Sequence, residues 1–177
     1  MSPGWSRRNP IDNLVGTETA VEFDIPLVEL PRVAHELTRK DGSARGRVHF
    51  SRQLGQAVAD LEVEAAPEVI CQRCMQPMRW PVTVSSRIAL VTDHESADRV
   101  PEEMEVFLVD GDSVSVRDLV DEEVLLALPH VALHDEDSDC AGRELTLPEQ
   151  QEADAGESAD AQVQKPYAQL GELLKRK

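Results

Sequence analysis

Apolar and polar residues alternate along much of the first two thirds of the chain, a pattern that predicts β-strands with one buried face. The alternating segments are 20–30, 46–52, 57–65, 80–91 and 105–109. Pro26 cannot donate a backbone hydrogen bond, so it favours a place at a sheet edge for the first of them. An Asp-Gly pair at 110–111 marks the turn that closes the last one. We therefore expect a mainly antiparallel sheet or partial barrel over residues 20–109.

The period of the apolar residues changes to that of a helix after residue 115. Residues 116–128 place apolar side chains three and four positions apart on one face. Ser115 and Asp118 resemble a capping box, and Pro129 ends the helix because it restricts the residue before it. The acidic run 121–123 is interpreted as the solvated side of this helix. Together these elements predict an α+β fold in which one amphipathic helix packs against the sheet.

Composition divides the chain into parts. Residues 141–164 are rich in Ala, Glu, Gln, Asp and Ser without apolar spacing, which is typical of a disordered linker. Pro166 fits the first turn of a further helix. The predicted parts are a flexible N-terminus (1–18), a single α+β domain with a CxxC knuckle (19–140), a disordered acidic linker (141–164) and a C-terminal helix (165–177). No apolar run could cross a membrane and no secretory signal is visible, so a cytoplasmic protein is expected.

The net charge of −16 is confined to one region of the chain. Residues 1–92 carry 11 basic and 11 acidic side chains, whereas residues 93–164 carry 3 basic and 22 acidic ones. This acidity excludes a broad phosphate-binding surface and suits basic protein partners. A local nucleic-acid contact is a hypothesis for five cations near the predicted hairpin and knuckle: Arg39, Lys40, Arg45, Arg47 and Arg73. The alternative interpretation of these cations is a solvated hairpin face of mixed charge.

The three cysteines of the chain and one histidine form a candidate metal site. Cys71 and Cys74 are a CxxC in a turn between two predicted strands, and His134 and Cys140 follow much later as a loop pair. Two thiolates in a tight knuckle can hold one face of a tetrahedral zinc ion, and a loop can supply the other two ligands. Such a zinc ion would be structural, because protein ligands occupy all four positions. Two alternatives stay open: a redox dithiol at the CxxC, or cysteines that are simply buried.

Motifs of the common enzyme classes are missing from the sequence, which has no GxGxxG, Walker A, GxSxG or HExxH. The many carboxylates of 93–164 do not by themselves form a catalytic pair. We therefore expect a protein without enzymatic activity. An enzyme of thiol or hydrolytic type is the alternative from another class.

With these motifs the chain resembles the large ribosomal RNA subunit accumulation proteins, the YceD family of bacteria. The resemblance rests on motifs in matching order: Cys71-Gln72-Arg73-Cys74 with Pro77, the acidic and leucine-rich segment 118–129, His134 with Cys140, and the terminal segments 165–170 and 174–177. It implies a non-enzymatic role in the synthesis, processing or stability of large-subunit (23S) ribosomal RNA. The implied partners are ribosomal RNA, a pre-ribosomal particle or basic ribosomal proteins. The alternative function is a zinc-stabilised module that binds basic partners without a role in RNA.

Overall fold

The alternating segments form strands in the computed structural model, which describes residues 4–135 and residue 140. In chain order the strands are β1 (Asn9–Pro10), β2 (Ala20–Pro26), β3 (Ser43–Gln53), β4 (Gln56–Ala65), β5 (Glu68–Ile70), β6 (Pro77–Arg79), β7 (Val82–Val91), β8 (Glu105–Leu108) and β9 (Ser113–Val114). The α-helices are α1 (Ile11–Gly16), α2 (Pro31–Glu36), α3 (His94–Ala97) and α4 (Val116–Leu126). All of these elements belong to one unit, Met1–Arg143. The predicted linker and C-terminal helix lie outside the described residues.

Five strands form the main sheet in the order β2-β3-β4-β7-β8. The pairs from β2 to β7 are antiparallel, and β2 is an edge strand as its Pro26 predicts. β8 pairs with β7 in parallel, a direction that the alternation of residues 105–109 does not reveal. Among the described residues the strands leave this sheet open, without closing a barrel. The predicted α+β class with a mainly antiparallel sheet is thus confirmed.

The hairpin of β3 and β4 is fixed in register by its turn and by one glycine. Leu54 and Gly55 both take positive φ, 50° and 85°, as the two-residue turns that suit strand twist require. At Gly46 an added Cβ would lie 1.9 Å from the carbonyl oxygen of Glu62 on the neighbouring strand. Only glycine permits this close approach of the two backbones.

One buried apolar cluster joins the main sheet with α1, α2 and α4. Phe50, Leu61 and Ile88 come from its strands and Leu119 from α4, and all four are essentially inaccessible to solvent. α4 begins as predicted, since the Asp118 N–H donates to the Ser115 hydroxyl at 3.1 Å. This helix has 11 residues, and within the described part of the chain no helix is long and apolar enough to span a membrane.

The segment that precedes β2 differs from the flexible start predicted for residues 1–18. Ile11, Leu14 and Val15 of α1 are buried in the apolar cluster. The Ile11 N–H donates to the Asp112 carbonyl at 2.9 Å, beside the pairing of β1 with β9. These apolar residues have helical spacing, but a helix of six residues is too short to show its period in the sequence.

The acidic run 121–123 is not the solvated side of α4, and that prediction is wrong. Asp121 and Glu123 are only 4 % and 5 % exposed. The Asp121 carboxylate accepts from the Arg32 N–H at 3.1 Å and from the Val33 N–H at 3.0 Å. The first N–H groups of a helix have no partner within that helix, so they need an outside acceptor. Asp121 is therefore a cap for α2 that is supplied by α4.

Candidate metal centre

Cys71 and Cys74 lie in the tight loop between β5 and β6. The Cys71 N–H donates to the Gln76 carbonyl at 2.9 Å, and the Met75 N–H donates to the Cys71 carbonyl at 2.8 Å. Met75 takes a positive φ of 59°, which a residue other than glycine seldom adopts. These features bend the loop into a knuckle and keep both thiols buried, at 0 % and 5 % exposure.

The second half of the centre comes from the chain beyond α4. The Gln72 N–H donates to the Ala132 carbonyl at 2.9 Å, which ties the knuckle to this segment. Two residues later, the His134 Nδ1 atom lies 3.5 Å from the Cys74 sulfur. The same nitrogen lies 3.4 Å from the sulfur of Cys140. This backbone contact thus holds the segment that carries His134 against the knuckle.

The four predicted ligands come together in the structure. The Cys71 and Cys140 sulfurs are 3.8 Å apart, and the candidate ligand atoms of all four residues lie within 4.8 Å of one another. Residues as far as 69 positions apart in the sequence therefore share one site. The cluster could bind a metal ion.

The distances between these ligand atoms test whether zinc fits. Zn–S bonds of about 2.3 Å and Zn–N bonds of about 2.05 Å in a tetrahedron place two sulfurs about 3.8 Å apart and a sulfur and a nitrogen about 3.6 Å apart. The observed separations are 3.8 Å between sulfurs, and 3.5 and 3.4 Å between sulfur and nitrogen. The donor set is therefore compatible with a structural zinc ion.

Proton affinities differ sharply between the thiols. Burial raises the pKa of Cys71. Hydrogen bonds from the backbone N–H groups of Cys74, His134 and Arg73 together lower it by more, and the resulting pKa is about 5. Burial raises the pKa of Cys140 to about 11, and the two neighbouring cysteines add to this rise. The neighbouring N–H groups thus stabilise the thiolate form of Cys71, the form that binds a metal ion.

A family model described as large ribosomal RNA subunit accumulation protein YceD matches residues 59–174, which is most of the chain. The chain belongs to the YceD family. The range that matches the YceD model contains the whole cysteine and histidine cluster. Neither the curated proteins nor the solved structures gave a match.

The cations considered for a nucleic-acid contact divide into two groups relative to the YceD match. Arg73 lies within it, whereas Arg39, Lys40, Arg45 and Arg47 precede it. All five side chains are exposed, and Arg73 projects from the knuckle loop beside Cys74.

Carboxylates neutralise three of these cations. Arg39 pairs with Asp41, and Arg45 pairs with Asp24, each at 2.9 Å. Arg47 donates two hydrogen bonds to Glu62, at 2.9 and 2.8 Å, which lower the pKa of that carboxyl group. This part of the YceD-family chain is a face of mixed charge.

Sequence patterns missed a second cluster of polar groups, which lies between α4 and the main sheet. The Ser86 hydroxyl donates to the Glu123 carboxylate at 2.6 Å and lies 3.3 Å from a carboxylate oxygen of Glu105. Burial raises the pKa of Glu123 to about 7, and Glu105 adds to this rise. No local sequence pattern predicts this cluster, because its members come from three separate elements, β7, β8 and α4.

An apolar cavity of about 920 Å³ lies beside the metal centre. The knuckle contributes Gln72 and Met75, α4 contributes Leu125 and Leu126, and the segment beyond α4 contributes Ala132. Met75 and Leu126 are 62 % and 67 % exposed. The knuckle and the segment beyond α4, which carry the metal ligands, thus also form walls of this cavity.

Proposed function

We propose that this YceD-family chain is a non-enzymatic factor of ribosome biogenesis. It supports the synthesis, processing or stability of large-subunit (23S) ribosomal RNA in the cytoplasm. The observation that carries the proposal is the match of residues 59–174 to a family described by the accumulation of large-subunit ribosomal RNA.

A structural zinc ion at Cys71, Cys74, His134 and Cys140 is the second part of the proposal. Its support is the agreement of the sulfur and nitrogen separations with a tetrahedral zinc site. Four protein ligands leave no position for a reactive water molecule, which agrees with a non-enzymatic role. The ion would hold the segment beyond α4 against the β5–β6 hairpin.

Metal analysis of the purified chain tests the zinc ion. We expect about one equivalent of zinc, which a double substitution of Cys71→Ser and Cys74→Ser removes. Because metal binding at a structural site contributes directly to folding, the metal-free chain should be less stable. A metal-free chain of unchanged stability contradicts this part of the proposal.

Basic ribosomal proteins, or a pre-ribosomal particle that presents them, are the proposed partners. Two observations favour them over RNA contact through the hairpin. Arg39, Arg45 and Arg47 are already paired with carboxylates, and residues 93–164 carry 22 acidic side chains against 3 basic ones. Acidic segments attract basic partners and reduce non-specific binding to phosphates.

Depletion of the protein in cells tests the biogenesis role. We expect less 23S ribosomal RNA, with small-subunit ribosomal RNA as the internal reference, and recovery when the wild-type chain is supplied. Normal 23S levels after complete depletion contradict the role. Supplying the double variant Arg45→Gln and Arg47→Gln is the matched test for the hairpin, and we expect full recovery with it.

A second candidate function is a zinc-stabilised module that binds basic proteins without a role in RNA. The apolar cavity beside the metal centre is the observation that favours it, because exposed apolar surface commonly marks a contact site. Crosslinking in cells, with identification of both RNA and proteins, separates the candidates. Capture of basic proteins outside the ribosome, together with normal 23S levels, supports the module.

A further inference from the structure

The three thiols of the metal centre differ in their access to solvent. Cys71 and Cys74 are buried by the knuckle, at 0 % and 5 % exposure. Cys140 is half-buried and belongs to the segment beyond α4. In the zinc-bound centre all three sulfurs would be thiolates, so exposure decides which of them a small oxidant in solution meets first, and that is the Cys140 sulfur.

The second sulfur needed for a disulfide already lies beside Cys140. The Cys71 sulfur is 3.8 Å away, and a disulfide bond requires about 2.05 Å, so the two atoms must approach by about 1.8 Å. Two backbone hydrogen bonds of the knuckle hold Cys71 in place. Because Cys71 is held in this way, we expect the Cys140 sulfur to make most of the approach.

We propose that Cys71 and Cys140 form a disulfide when hydrogen peroxide oxidises the metal centre, and that the metal ion leaves. This inference rests on the zinc ion of the proposed function. The Cys140 sulfur, which is a thiolate when it binds the metal ion, attacks peroxide, forms a sulfenic acid and releases hydroxide. The Cys71 thiolate then attacks the Cys140 sulfur, so that the S–S bond forms, the S–O bond breaks and a second hydroxide leaves. Two electrons pass from the sulfurs to peroxide.

Loss of two thiolates leaves Cys74 and His134 as the remaining ligands. Two ligands are too few for a structural zinc site, which is almost always four-coordinate, so the ion is released. The new bond joins the knuckle to the segment beyond α4, the two parts that the zinc ion would hold together. A covalent link that closes a long loop restricts the unfolded chain. The oxidised domain therefore stays folded without the metal ion.

Trypsin offers a direct test of the pairing, because Arg73 lies between the two cysteines of the knuckle. The full-length, zinc-loaded chain is titrated with hydrogen peroxide, and released zinc is measured with a chromogenic chelator. Samples are then digested without reduction and analysed by mass spectrometry. The relevant peptides are 53–73 with Cys71, 74–79 with Cys74 and 118–143 with Cys140.

We expect peptides 53–73 and 118–143 to be joined, with one zinc ion released for each disulfide formed. A Cys140→Ser variant is the matched control and should not give this pair of peptides. If that variant does not fold, the peptide map of the wild-type chain decides alone.

Three results overturn the proposal. They are peptide 74–79 as the main disulfide partner, accumulation of sulfinic acid at Cys140 without a disulfide, and retention of zinc after full oxidation. A chain purified without zinc contradicts the zinc ion instead. The peptide map still decides the thiol pair in that case, so the two failures are distinguishable.

Discussion

Glu123 makes the stability of this domain depend on pH in a direction opposite to that of most carboxylates. It is 5 % exposed on α4, accepts a hydrogen bond from Ser86 at 2.6 Å and lies near Glu105. Burial raises its pKa from 4.5 to about 7. The folded chain therefore holds this proton more tightly than the unfolded chain does. The stabilisation that comes from this bound proton is complete below about pH 4.5 and is lost as the pH rises through about 7.

The size of the effect follows from the shift in pKa. A rise from 4.5 to about 7 corresponds to at most about 3.4 kcal/mol. Glu105 is exposed and Ser86 half-buried, so solvent screens part of this cost. We expect a loss of about 1 to 2 kcal/mol in the free energy of unfolding between pH 5 and pH 8.

The variant Glu123→Gln isolates this term, because glutamine keeps the shape of the protonated side chain and does not titrate. Both chains are unfolded in urea at pH 5, 6, 7 and 8. We expect the wild type and Glu123→Gln to have similar free energies of unfolding at pH 5, and Glu123→Gln to be the more stable of the two at pH 8. The variant Glu103→Gln, at an exposed position, corrects for the change in net charge. A difference between wild type and Glu123→Gln that is constant from pH 5 to pH 8 refutes the reasoning.

Three further predictions concern stability. Asp121→Ala leaves two helix N–H groups without their acceptor and should lower the free energy of unfolding in urea by about 2 to 3 kcal/mol. An unchanged urea midpoint contradicts the role of Asp121 as a helix cap. Gly46→Ala forces a Cβ against the Glu62 carbonyl and should lower the melting temperature, whereas Gly16→Ala meets no atom within 4 Å and is the control. Removing the metal ion with a chelator should lower the melting temperature, and re-addition of zinc should restore it.

Local patterns predicted the elements that depend on neighbours in the chain. Alternation located the strands of the main sheet, and Ser115 located the start of α4, because a cap and a pleat involve residues only a few positions apart. The CxxC indicated a knuckle for the same reason. Residue type, the spacing of the two residues in a loop and the family resemblance suggested His134 and Cys140 as its partners, and the structure brings their ligand atoms within 4.8 Å of the knuckle thiols.

Long-range packing set the features that the patterns missed. Asp121 and Glu123 belong to an acidic run typical of a solvated face, yet they are buried because α2 supplies N–H groups to one and β7 supplies a hydroxyl to the other. The buried place of α1 and the parallel direction of β8 likewise depend on contacts with distant segments. Hydrophobic period and turn residues thus define where the strands and α4 form. The partners of a buried charge depend on the tertiary structure, because burial becomes favourable only when another segment supplies the hydrogen bonds that water would otherwise provide.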